Sequence, residues 1–290
     1  MSPGDAIKRY LYSGQYEHGH PEWPGQNLFE RSKKGHEDLL HALLAEVEKR
    51  SQGRLHPRVP ELELTSWARR KLMPMVHGFF PDAERQAVLG LLEKSVVFLT
   101  SDNFDVVLLR QTWLRSAWNL ANLYLSSVGA DLLSHDAPSL LGLSEGITCY
   151  VSAEYFAERC RIEDFVIHEA AHVFHNCKRK TAGLPETRKK EWLLDVEFRK
   201  RETFAYACEA YGYIVEHSSS KAERLAFAER FAASGFEGYD ERMDPIDVTD
   251  IVHEACQARN GWKVILARCA PERRPTRRVN AIASLSTRIR

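Results

Sequence analysis

Apolar side chains recur at three- and four-residue spacing through "GHEDLLHALLAEVEKRSQG" (residues 35–53), where Leu39, Leu40, Leu43, Leu44 and Val47 share a stripe and a glycine follows the last turn. That period predicts an amphipathic helix with a stop. "PELELTSWARRKLMPMVHGFF" (60–80) predicts a helix as far as Pro74, where the missing amide hydrogen is expected to interrupt it. "PDAERQAVLGLLEKS" (81–95) predicts another, and "DVVLLRQTWLRSAWNLANLYLSSVG" (105–129) one long helix ended by Gly129. Two stretches predict strands instead: the β-branched "VVFLT" (96–100) and the alternating "EGITCYVSAEYF" (145–156).

The expected fold class is mainly α (α+β), with helices gathered around a small mixed β-sheet. Residues 1–33 are rich in Gly, Pro, Tyr and His without periodicity and read as an irregular N-terminal arm. Residues 34–268 read as the main domain and 269–290 as a basic C-terminal tail. No internal repeat or low-complexity tract interrupts this order.

Composition narrows the function classes. The chain has 290 residues, 44% of them hydrophobic and 28% charged, which is ordinary for a globular protein. Forty basic residues balance forty acidic ones, so no global field points to nucleic acid, a membrane surface or an acidic partner. The stretch 268–290 holds seven arginines against one glutamate. It leaves nucleic acid open, although a solubilising segment is the simpler reading. The first residues lack the basic start and apolar run of a secretory signal, and no window approaches a membrane span. A cytoplasmic setting is expected, with export lacking a cleavable signal left open. The six cysteines, Cys149, Cys160, Cys177, Cys208, Cys256 and Cys269, show no CxxC spacing and read as reduced core thiols. Cys177 and Cys208 stand close in sequence to the metal-binding positions considered next.

"FVIHEAAHVFHNC" (165–177) puts three histidines and a glutamate into an otherwise apolar helical run. His168 and His172, four apart in HExxH, lie on one helix face and can reach one ion, and zinc accepts neutral imidazole nitrogen in tetrahedral geometry. Glu169, about 100° around the helix, stands beside such an ion and can accept a proton from water. Val166, Ala170, Val173 and Cys177 form the apolar back, and Ala171 leaves room at the front. His175 shares the histidine face, either as a substrate contact or hydrogen-bond donor, or simply solvated.

Two histidines need a third donor. His175 stands where a metzincin would have its glycine, and Lys178 where it would have its last histidine, so that pattern is not expected. In "RKRETFAYACEAYGYIVEH" (199–217), Phe204, Ala207, Cys208, Tyr211, Ile214 and Val215 form one apolar stripe, while Glu202, Tyr206, Glu209 and Tyr213 line the other side. Glu202 is the expected third ligand. Glu209 would accept a hydrogen bond from a ligand histidine and fix its tautomer. Glu191 is a competing ligand, in a charged "TRKKEWLLD" context, and Asp195 a weaker one. "VHEACQ" (252–257) places Gln257 where a second histidine would be needed, so His253 and Glu254 read as a surface pair, and His18 and His20 lie in an arm poorly preorganised for metal.

His168, Glu169 and His172, with Glu202 in "ETFAYACEA", resemble the gluzincin class of zinc metallopeptidases over roughly residues 145–217. Ala170, where many members carry a bulkier apolar residue, departs from the pattern. The resemblance implies a zincin-like catalytic domain, a zinc cofactor, a protein or peptide substrate and hydrolysis with Glu169 as general base. It also implies that "GITCYVS" serves as an edge strand pairing with extended substrate, and Tyr206 and Tyr213 are possible donors to a developing oxyanion. Two alternatives stay open: a zinc hydrolase of a non-peptide acyl substrate, and a non-catalytic interaction protein.

Overall fold

A computed structural model describes residues 2–138, 140–157, 164–188, 190–234 and 243–272. Among them run α1 (Pro3–Ser13), α2 (Leu28–Ser51), α3 (Leu64–Phe79), α4 (Asp82–Leu92), β1 (Val96–Leu99), α5 (Phe104–Leu109) and α6 (Leu114–Ser127). The hairpin β2 (Gly142–Glu145) and β3 (Thr148–Ser152) follows, then α7 (Phe165–Asn176), α8 (Arg201–Glu216), α9 (Lys221–Ser234), α10 (Pro245–Gln257) and α11 (Gly261–Cys269). The protein is mainly helical with a small mixed sheet, as its patterning predicts.

The sheet order is β1-β3-β2, with β1 parallel and β2 antiparallel to β3. Alternation along the strands sorts side chains onto two cores. Phe98, Cys149 and Val151 join a core built from α3, α4, α7, α8, α10 and α11. Leu99, Leu143 and Tyr150 face the other, built from α1, α2, α5 and α6. Gly146, at φ 60°, closes the β2–β3 hairpin in the left-handed region that glycine enters without strain.

Five sequence expectations are corrected. The arm is not irregular: Ser2 and Asp5 make a capping box that starts α1, and Gly14 caps its end at φ 67°. Tyr10 is fully buried and donates to the Leu114 carbonyl at 2.6 Å, so tertiary packing orders a segment lacking apolar periodicity. Helix α3 runs through Pro74, because Met75, Val76 and Phe79 beyond it are buried. Proline costs about 3 kcal/mol inside a helix, whereas burying three such side chains contributes about 1.5–3 kcal/mol each. The long helix over 105–129 is split at residues 110–113, where the Gln111 side chain donates to Val107 O and to Tyr150 Oη. The strand over 145–156 ends at Ser152 in a 3-10 turn, and β3 is the central strand. "GITCYVS" is therefore no edge, since both its sides are paired, and β2 takes the edge position instead.

No described helix is long and apolar enough to cross a membrane. Five cysteines are free and buried, as expected, and Cys160 lies outside the described residues. So does most of the basic tail, which is described only to Glu272.

Gly78 marks the tightest packing between α3 and α11: a Cβ there would stand 2.0 Å from the Trp262 ring. Gly78→Ala should lower unfolding free energy by about 1–3 kcal/mol, read as a drop in the urea midpoint at unchanged m-value.

Candidate metal centre

Helix α7 begins where the Asp164 side chain accepts from the Ile167 amide, and it packs along α8. Buried alanines on both helices, Ala170, Ala171, Ala205 and Ala207, are small enough to permit close approach of the axes. The polar faces of the two helices then meet in a cavity of about 790 Å³, lined on its other side by residues 140–144 of the β2 segment.

His168, His172 and Glu202 converge at the floor of this cavity. The two Nε2 atoms stand 3.3 Å apart, and Glu202 Oε2 lies 3.5 Å from His172 and 3.9 Å from His168. Donors about 2.0–2.1 Å from a zinc ion at tetrahedral angles stand roughly 3.4 Å from one another, so these atoms fit one ion.

The surrounding hydrogen bonds set the tautomers. His168 Nδ1 lies 2.9 Å from Glu209 Oε2, and a carboxylate accepts, so the proton sits on Nδ1 and Nε2 offers a lone pair. The other Glu209 oxygen accepts from the Asp164 amide at 2.7 Å. His175 Nδ1 lies 3.1 Å from Asn176 Oδ1 and donates to it, which leaves its Nε2 to accept from His172 Nδ1 at 3.0 Å. His172 Nε2 is thereby an acceptor too. Three potential electron-pair donors face one another, an arrangement that a shared cation relieves, as does a second proton on the His168 ring.

Charge effects follow from burial and neighbours. Burial opposes a charged ring at His168, yet the Glu209 hydrogen bond and nearby carboxylates outweigh it and push the pKa up to about 9. At His175, burial together with His172 and Arg201 pushes the pKa down to about 3, which keeps the ring neutral. Burial raises Glu169, against the pull of His168, His172 and a hydrogen bond from Ser144.

Glu169 projects from α7 toward the hairpin, close enough that a Cβ on Gly142 would stand 2.6 Å from its Oε1. Tyr206 lines the cavity with its ring edge-on to His168, centroids 4.6 Å apart. His175 is buried and bonded rather than solvated. Tyr213 does not join this group: it stacks on His217, two turns from Tyr206. Glu191 is exposed and paired with Lys178 at 2.7 Å, and neither it nor Asp195 lines the cavity. Cys177 and Cys208 are buried behind the helices, away from it. Glu254 pairs with Arg268 and His20 packs against Trp23, so neither belongs to a second metal group among the described residues.

Sequence reasoning missed Asp164, which accepts from the Tyr155 hydroxyl at 3.2 Å and pairs with Lys71 at 2.6 Å. Its position just before the apolar helix, as an N-cap, was the available signal. It also missed Arg199, Arg201 and the β2 residues, which reach the cavity only through the tertiary fold. Comparison with family models, curated proteins and solved structures finds no match to this chain.

Removing Glu209 deprives His168 of the group that holds its tautomer. Glu209→Ala should weaken zinc affinity about 10- to 100-fold in a chelator competition titration, while Glu191→Ala leaves it unchanged.

Proposed function

We propose that this chain is a zinc-dependent peptidase of gluzincin type, with His168, His172 and Glu202 holding the ion. The observation that carries the reading is the convergence of three acceptor atoms at near-tetrahedral separations, beside a buried carboxylate and open to a cavity large enough for a peptide segment. Zinc at such a site supplies Lewis acidity, acidifying water and polarising a carbonyl oxygen.

Each residue then has a distinct task. Glu209 and His175 hold the two imidazoles in the tautomers that leave Nε2 free. Glu169 takes a proton from the attacking water as it adds to the carbonyl carbon, then delivers that proton to the leaving amine. Tyr206 donates its hydroxyl hydrogen to the developing oxyanion. The β2 segment borders the cavity as the sheet's edge, so its main chain can pair with an extended substrate while demanding little of the substrate's sequence.

Glu169→Gln keeps the shape of the side chain but removes its basicity. Its zinc content should match the unaltered protein, and turnover should fall at least about 100-fold. The measurement is elemental analysis paired with mass spectrometric detection of new protein termini in a peptide library. His168→Ala should lose the zinc outright. Full turnover in Glu169→Gln, or no zinc in the unaltered protein, would refute the reading. Gly142→Ala should separate position from chemistry: its methyl group displaces the Glu169 carboxylate, so zinc stays while turnover falls on the order of 100-fold.

A further inference from the structure

The cavity contains two arginines that the reaction does not use. Arg201 opens α8 next to Glu202, and Arg199 precedes it in the 3-10 turn Phe198–Lys200. The carboxylates lining the same space are directed elsewhere: Glu202 faces the histidine pair, Glu209 bonds His168 and the Asp164 amide, and Glu169 points toward Gly142 of β2. Among the described residues, neither arginine makes an ion pair with a carboxylate.

Arg201 Nε is shielded from solvent and has no hydrogen-bond partner. Arg9, Arg31 and Arg224 also have such an Nε, but none of them lines the cavity. The Arg201 guanidinium lies over the Phe198 ring at 5.1 Å, a contact that orients its plane, and its terminal N–H groups make no hydrogen bond among the described residues. Phe198 is 76% exposed at the cavity rim, and Phe165 and Leu140 add apolar lining. A charged donor in a partly desolvated place gains most from an ionised acceptor, and the guanidinium fork matches a carboxylate.

We propose that Arg201, with Arg199 beside it, forms a carboxylate-binding subsite, so that this chain selects peptides bearing an acidic group within a residue or two of the bond held at the histidine cluster. The inference rests on the peptidase reading and names its substrate class. The carboxylate is either an Asp or Glu side chain or a peptide's C-terminus, and the chemistry of recognition is common to both.

The test uses the full chain as zinc-loaded Glu169→Gln, which binds without cleaving. Acetylated peptides of one otherwise uncharged sequence, carrying a central Glu, Gln or Lys and a free or amidated C-terminus, are titrated by calorimetry. The Glu peptide, or the free-carboxylate series, should bind roughly 10- to 100-fold more tightly than its uncharged counterpart, the equivalent of one charge-assisted hydrogen bond. The series that shows the difference identifies the source of the carboxylate. Arg201→Gln should abolish the preference and Arg201→Glu should turn it toward Lys, a reversal that a merely structural arginine would not produce. Equal affinities across the set, or an acidic preference surviving both substitutions, would overturn the subsite. Zinc content and cleavage by the unaltered protein are measured separately. A chain that cleaves without acidic preference keeps the peptidase reading and loses this one; a chain that binds acidic peptides through Arg201 yet holds no zinc does the opposite.

Discussion

Three electron-pair donors pressed toward one point repel one another, and the centre of this protein is organised around holding them there. His168 and His172 are placed by four residues of helix, but Glu202 arrives from another helix, so the arrangement exists only because α7 and α8 pack closely. Glu209 and His175 then remove the freedom of the two rings to rotate or exchange tautomers. Each hydrogen bond contributes only about 0.5–1.5 kcal/mol, which is less than the packing that carries it. Their effect is directional: they decide which nitrogen faces the cavity.

The same packing explains the buried polar links at the start of α7. Asp164 caps that helix, accepts from Tyr155, and pairs with Lys71 of α3, which also reaches Glu216 at the end of α8. Burial favours the protonated carboxyl at Asp164 and the lysine opposes it. A buried ion pair gives little net stability, because desolvation offsets the attraction. What this one supplies is registration, since it ties α3, α7 and α8 together at the end of α7 from which His168 projects.

The three-stranded sheet has a different task. With one face toward each core it locks two helical groups into one body, and its hairpin carries β2 across the cavity mouth. Gly142 shows how close that approach is, because even a methyl group would meet the Glu169 carboxylate. The edge of the sheet, the general base and the histidine pair are thus brought into one cavity by a glycine, a short strand and a helix crossing.

Much of the local structure was determined by sequence alone. Four-residue spacing on a helix dictates that His168 and His172 share a face, and the stripe of Phe204, Ala207, Cys208 and Tyr211 dictates which side of α8 is buried and hence which side presents Glu202, Tyr206 and Glu209. These are consequences of helical period, which acts over a few residues. Tertiary structure decided what period cannot reach. Tyr213 shares a face with Tyr206 but stands two turns, about 10 Å, along the axis, too far for the same cavity. Burial beyond Pro74 carried α3 through a residue that normally ends a helix, and Tyr10 drew an aperiodic arm into the second core. Pairing partners alone made β3 central and left β1 and β2 as the outer strands, because a strand's neighbours are set by distant segments and leave no mark on its own alternation.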